Sequence, residues 1–387
     1  MKLALKKRRE HGLESWVYFL DLVKAFDRVP RELLWIILAK FGAPPKLIRL
    51  LKLLHAVVKV SFCVDGVEVT LDSIIGVKQG DIIGPILFVI FMAAITITWK
   101  KLHNYRLCIY RSKPDWVISG RRWNTGSHSD EFAVSDSLYA DDSALLFCSR
   151  RDVVSECPKV NAHFDRFGME VHARAPADSK PAKSEVLFVA APGIMYDNPA
   201  TFSDEGADGI VRPRDLSDID VGNGTCPVVE HFKYLGSFIH RKCRDALDVD
   251  ERIKKAGAAF AALRKCIFND RRVSLQAKRA VYVSLILAIL LYASESWCLT
   301  ETLFARLRQF HATCVRRMCR VTRKHRWTHR ISDISLQKRL EVKSIDEYIG
   351  RRQLSWAGAV SRMPFSRLPR RMLSSWVCAP RPIGAPQ

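Results

Sequence analysis

The sequence predicts an α+β fold, and three observations carry that prediction. Short apolar runs bounded by Gly, Asp and Pro recur through the first 240 residues and mark strands and hairpins. From Asp248 to about Arg362 the apolar spacing is helical instead. The charge divides the same way: residues 1–240 carry 31 basic and 29 acidic side chains, whereas residues 241–387 carry 31 basic and 11 acidic. At 387 residues and 48% hydrophobic, the chain can bury the cores of two or three domains.

Taken in order, Trp16-Val-Tyr-Phe-Leu-Asp21 is an apolar and aromatic run that predicts a buried strand ending in a carboxylate. Pro30 opens a helix that Gly42 stops, and a second helix follows Pro44-Pro45. Residues 58–70 alternate about Asp65-Gly66, a hairpin signature. The glycine-punctuated loop Gly76-Val-Lys-Gln-Gly-Asp81 leads into a long apolar helix from Pro85. Residues 102–135 are polar and irregular, and residues 137–147 form a second apolar hairpin with Asp141 and Asp142 at its tip. A helix over 152–168, a strand over 184–190 preceded by Lys183, a Gly-, Pro- and Asp-rich excursion over 191–228 and a short hairpin over 232–240 complete the first part.

A formal charge of +22, concentrated C-terminally, predicts a polyanionic partner or an anionic membrane surface. Nucleic acid is the better match, because the basic residues recur in helical stretches interleaved with Trp, Phe and Tyr. The eleven cysteines contain no C-x-x-C pair, so reduced thiols in an intracellular protein of nucleus or cytoplasm are expected. Cys314, Cys319, His325 and His329 lack the dozen or so residues that separate the two ligand pairs of a zinc finger. Residues 82–99 approach the length of a membrane span, yet they contain Gly84 and Pro85 and read as a buried helix, so no membrane partner is expected.

Two adjacent carboxylates in an apolar hairpin cost several kcal/mol to bury unless a cation neutralises them. With Asp21 ending another apolar strand, three carboxylates can converge on hard cations such as Mg²⁺. Taken alone, each of them could equally be a turn Asp that caps a strand.

Five segments in order then resemble the motifs of reverse transcriptases. Phe19-Leu-Asp21-Leu-Val-Lys-Ala-Phe-Asp-Arg-Val-Pro30 resembles the first palm motif, Gly76-Val-Lys-Gln-Gly-Asp81 with Gly84-Pro85 the second, and Tyr139-Ala-Asp-Asp142 the third. Phe167-Gly168 with Lys183-Ser-Glu-Val-Leu is similar to the fourth, and Tyr234-Leu-Gly-Ser237 to the primer grip. Ala25-Phe26-Asp27, residues 290–297 and residues 356–363 resemble polymerases of non-LTR, LINE-like retrotransposons.

The resemblance implies a right-hand polymerase: a palm over 1–190, a loop and primer-grip hairpin over 191–240, a helical thumb over 241–300 and a basic helical extension over 301–387. It implies RNA-directed DNA synthesis from dNTPs on an RNA template and a DNA primer or target, with two Mg²⁺ ions or Mn²⁺ in their place. Asp21 and Asp141 would ligate both ions, Asp142 would assist, and the Leu22 carbonyl would complete one shell. Phe26 would exclude a 2′-hydroxyl, Gln79 and Gly80 would contact the incoming nucleotide, and Lys183 would approach its triphosphate. Tyr234, Leu235 and Gly236 would form the primer grip. Arg252, Lys254, Lys255, Arg264 and Lys265, and then Arg316, Arg317 and Arg320, would hold nucleic-acid backbone.

Three departures accompany the resemblance. Only 20 residues precede Asp21, leaving no room for fingers, so an N-terminally truncated polymerase is expected. Ile82-Ile83 and Gly84 stand where the family tends to have Pro-Leu and Ser, and residues 357–359 lack a His common in the family. The alternative is a catalytically inactive nucleic-acid-binding remnant of such a polymerase.

Overall fold

The computed structural model describes residues 1–56, 59–72, 74–78, 80–102, 108–112, 130–174, 182–191, 202–205, 211–214 and 217–377. Two compact units divide them: one takes residues 8–110 and 132–230, the other residues 1–7, 111–131 and 231–377. The mixed α+β class expected from the sequence is the class observed.

After α1 (Lys2–Glu10) the chain enters β1 (Ser15–Leu20), α2 (Arg31–Lys40), α3 (Pro45–Ala56) and the β2–β3 hairpin (Lys59–Val64, Val67–Asp72). Then come α4 (Gly84–Leu102), β4 (Cys108–Ser112), β5 (Asp130–Val134), β6 (Asp136–Tyr139), β7 (Asp142–Phe147), α5 (Arg150–Asp165) and β8 (Glu185–Val189). A strand apolar at nearly every position needs cover on both faces, and β1, buried throughout, is the central strand of a five-stranded sheet. It pairs antiparallel with β7, Trp16 opposite Phe147 and Leu20 opposite Ser143, and on its other side with β8. The helix α4 is long and apolar enough to cross a membrane by length and composition. Its Phe88, Phe91 and Ile95 are fully buried in the same core as Trp16, Tyr18 and Phe147.

Turn chemistry sets two of the hairpins. Asp65 and Gly66 both have positive φ, at 50° and 82°, the backbone that a two-residue turn between β2 and β3 demands. Leu235 and Gly236 repeat this at 49° and 78° between β14 (His231–Tyr234) and β15 (Ser237–His240).

The excursion expected over 191–228 holds strands among its described residues. It contributes β9 (Phe202–Glu205) paired with β10 (Val211–Arg214), the hairpin β11–β12 (Ile219–Asp220, Thr225–Cys226), and β13 (Val228–Val229), which joins β8 in parallel. Ile219, Val221 and Cys226 lie in the core, so three apolar residues spaced among glycines and aspartates suffice to anchor this segment. The polar stretch 102–135 likewise holds β4 and β5 at its described ends.

The second unit is helical apart from the β14–β15 hairpin, a short strand, β16 (Ser375–Val377), and the ends of β4 and β5 at residues 111–112 and 130–131. Its helices are α6 (Ala246–Leu263), α7 (Leu275–Val281), α8 (Leu287–Leu290), α9 (Glu301–Met318), α10 (Arg323–Thr328), α11 (Asp333–Leu340), α12 (Ile345–Ser361) and α13 (Leu368–Leu373). Wider π turns at Arg264–Phe268 and Tyr282–Ile286 follow α6 and α7. One core, including Phe260, Phe268, Tyr282, Leu307 and Ile349, runs through residues 249–349. His311 is fully buried in it, its Nδ1 2.8 Å from the Tyr282 hydroxyl, and burial lowers its pKa to about 4.

Candidate active site and nucleic-acid interface

The pairing of β1 with β7 sets the geometry of the carboxylates. With Leu20 opposite Ser143, continuation of the register puts Asp21 opposite Asp142. The β6–β7 hairpin turns through Ala140 and Asp141, with Ala140 at φ 53°, and Tyr139 pairs with Asp142. Asp21, Asp141 and Asp142 are therefore placed near one another at one end of adjacent strands. Asp21 is further fixed through its backbone: its N–H donates to Ser184 Oγ at 3.0 Å, and its carbonyl accepts from the His172 N–H at 2.8 Å. Leu22, buried, bridges to Val171.

Asp141 and Asp142 are exposed at the sheet end and Asp21 is half-buried, yet they still perturb one another. The carboxyl of Asp142 is held above the ordinary range, first by partial desolvation and then by the charges of Asp141 and Asp21. Lys183 supplies a counter-charge, its Nζ 4.0 Å from Asp21 Oδ2. Among the described residues no three carboxylate, imidazole or thiol side chains close on a common point as a finished cation cage. The donor set suits a hard divalent cation: carboxylate oxygens whose mutual repulsion such an ion relieves.

The loop before α4 lies against the chain that follows Asp21. The Gly76 N–H donates to the Val29 carbonyl at 2.8 Å and the Val77 N–H to the Phe26 carbonyl at 2.9 Å. A Cβ on Gly76 would fall 2.7 Å from the Asp27 carbonyl oxygen, and one on Gly84 would fall 2.4 Å from that of Lys78. The serine that the resemblance implies at position 84 would thus collide with this loop as it is folded here. Phe26 is half-buried and stacks on Phe88, ring centroids 4.3 Å apart. Gly80 is exposed with φ 86° and open space around it, while Gln79 lies outside the described residues.

Residues 2–236, well over half of the chain, match the sequence model described as "Reverse transcriptase (RNA-dependent DNA polymerase)". The chain belongs to the reverse transcriptase family. It is also 28% identical over 139 residues to an uncharacterized transposon-derived protein of Caenorhabditis elegans, an alignment covering 35% of this chain and 47% of that protein. The chain thus matches about half the length of this curated relative.

Sequence reasoning missed how this reverse transcriptase holds its Tyr234–Gly236 turn. Arg252, expected on a nucleic-acid-facing surface, is buried: its guanidinium donates to the Gly236 carbonyl and lies 4.2 Å above the Tyr292 ring. Tyr292 in turn donates its hydroxyl to the Leu235 carbonyl at 3.0 Å. Beneath them the buried carboxylate of Asp248 accepts from Ser237 Oγ at 2.5 Å, Trp297 Nε1 at 2.9 Å and Lys2 Nζ at 3.4 Å. In place of a phosphate, Arg252 binds backbone, because the two-residue turn leaves carbonyls that a fixed guanidinium can satisfy. A basic residue on an amphipathic helix gives no sign of this.

The other predicted basic residues divide by exposure. Lys254, Arg264, Lys265, Arg317 and Arg320 are exposed; Lys255 is half-buried and paired with Glu251 at 3.1 Å. Arg316 is half-buried and reaches Asp333 at 3.4 Å. Arg31 was not foreseen at all. Buried at the start of α2, it donates to the carbonyls of Gly76, His55 and Ile75, tying the Gly76 loop to the end of α3.

Proposed function

We propose that this chain carries the polymerase core of a non-LTR retrotransposon reverse transcriptase, extending a DNA primer on an RNA template. The observation that carries the proposal is the convergence of Asp21, Asp141 and Asp142 at the end of β1 and the tip of the β6–β7 hairpin. In this reading the five-stranded sheet and its helices are the palm, β14–β15 is the primer grip, the following helices form the thumb, and residues 301–387 form a basic extension. The protein would work inside the cell, in nucleus or cytoplasm.

Asp21 and Asp141, assisted by Asp142 and the Leu22 carbonyl, would hold two Mg²⁺ ions. When bound, such ions supply the charge that activates a 3′-hydroxyl and stabilises the departing pyrophosphate. The chain's own groups do the positioning. Phe26, braced by Phe88, presents bulk beneath the sugar, which favours deoxynucleotides. The glycine loop allows close backbone approach to the nucleotide, the part proposed for Gly80 and Gln79. Lys183, already beside Asp21, is in reach to approach the triphosphate as a charge or a proton donor. Exposed Lys254, Arg264, Lys265, Arg317 and Arg320 would contact phosphates without reading sequence.

The second reading, a nucleic-acid-binding remnant without turnover, draws on the unclosed carboxylate set. Mg²⁺-dependent dNTP incorporation on a primed poly(rA) template separates the two, with the parent chain compared to its Asp141→Ala, Asp142→Ala double variant. Incorporation by the parent alone is the expected result. No incorporation by either, with RNA binding retained in both, would overturn the polymerase reading and leave the remnant.

A further inference from the structure

Trp327, on the six-residue α10, is 88% exposed, the most exposed large apolar side chain among the described residues. Covering an indole gains roughly 25 cal/mol per Å² of apolar surface removed from water, so a ligand that covered this one would gain by it. It borders an open groove of about 770 Å³ lined by Gln309, Arg316, Arg326, Arg330 and Ile331. Between Thr302 and Ser332 the chain carries nine Lys and Arg residues and no Asp or Glu.

The guanidinium groups of this groove are held in place. Asp333 pairs with Arg316 at 3.4 Å and with Arg326 at 3.3 Å, and Arg326 also donates to the Ile331 carbonyl at 3.2 Å. Arg330, at φ 48°, closes α10 with its N–H on the Trp327 carbonyl, and its exposed side chain makes no ion pair among the described residues. An exposed aromatic face therefore stands beside two guanidinium groups held by Asp333 and a third, that of Arg330, with no ion pair among the described residues.

Resting on the nucleic-acid reading above, we infer that Trp327 is a stacking platform for an unpaired base of a single-stranded polynucleotide, its adjoining phosphates taken by Arg330, Arg326 and Arg316. An indole stacks on a base only where the base is not already stacked between neighbours, so duplex is a poorer fit. Trp and Arg also concentrate at protein interfaces. The charge of this groove argues for phosphates instead.

The test measures binding of the full chain to a labelled single-stranded RNA, the same sequence as DNA, and the RNA duplex, in EDTA and without dNTPs. A defect in the polymerase site leaves this readout untouched, so the two proposals fail separately. Trp327→Ala should weaken single-strand binding about ten-fold, within the range of base–aromatic stacking, while Trp327→Phe should retain most of it and duplex binding should change less than about two-fold. Arg330→Ala should weaken single-strand binding and flatten its salt dependence. Equal RNA and DNA effects identify a base-and-phosphate site, and a larger RNA effect identifies a site that also reads the 2′-hydroxyl; either supports the platform. Unchanged single-strand binding in Trp327→Ala, equal loss on single strand and duplex, or intact RNA binding with loss of self-association would overturn it.

Discussion

The sheet unit and the helical unit of this reverse transcriptase treat carboxylates in opposite ways. Asp248 is buried and accepts from Ser237, Trp297 and Lys2; its charge is consumed in holding one hairpin against one helix. Asp142 stands exposed beside Asp141 and Asp21, with its carboxyl raised by partial burial and by like charge. Saturation with donors marks a structural acid, and crowding with other acids marks one arranged for a ligand.

That contrast can be broken by substitution. The largest effect is expected for Asp141→Asn, which should lower dNTP incorporation by about a thousand-fold, several kcal/mol of charge stabilisation at 1.36 kcal/mol per decade, while leaving the thermal melt nearly unchanged. A comparable loss of melting temperature would mean that Asp141 is structural. Asp248→Ala should do the reverse in the first instance, costing about 3–4 kcal/mol in urea unfolding because it orphans buried donors. A cost below about 1 kcal/mol would remove Asp248 from the hairpin's support.

His311 extends the comparison to acid. Its folded pKa, about 4, lies below the unfolded value near 6.5, so the neutral ring contributes stability that is fully present above pH 6.5. That stability is lost as pH falls from there through 4, at about 3 kcal/mol on an order-of-magnitude scale. Urea midpoints from pH 7 to pH 4 should drop less steeply in His311→Gln, and an identical pH slope in the variant would contradict the assignment.

Gly84→Ser should cost about 2 kcal/mol by displacing the Lys78 carbonyl and should raise KM for dNTP more than it lowers kcat. Full nucleotide affinity in this variant would show that the loop adapts. The smallest effect is expected for Asp142→Asn in metal-free buffer. Ionising a carboxyl of raised pKa penalises the fold, so stability declines as pH rises from the ordinary carboxylate value to the raised one. The amide should therefore melt slightly higher at pH 7, by less than about 1 kcal/mol given solvent screening, and the gap should vanish near pH 3. Added Mg²⁺ should stabilise the parent more than the variant.

Much of this was legible in the sequence because it is local. The Asp65-Gly66 turn, the strand ending at Asp21 and the Asp141-Asp142 tip each declare themselves within a dozen residues. Arg252 was misread because helical spacing reports a face, not what the face meets, and its partner is a carbonyl sixteen residues earlier. Asp248, Tyr292 and Arg31 gave no sign for the same reason. Ile219, Val221 and Cys226 were hidden in a glycine-rich stretch whose short strands depend on β8 and on the core for their order. Gly84, which departs from the serine usual in the family, is consistent with its own loop.

The Lys2–Asp248 contact joins residues 246 positions apart, and Lys7 donates to the carbonyls of Met372 and Leu373 beyond it. On the ribosome, the first turns of α1 emerge long before anything they bind exists. Lys2 can meet Asp245 and Asp248 once residues near 248 are made, whereas Lys7 waits for residues near 373. Premature termination before α13 would release a chain in which Lys2 keeps Asp248 while Lys7 has lost its carbonyl partners.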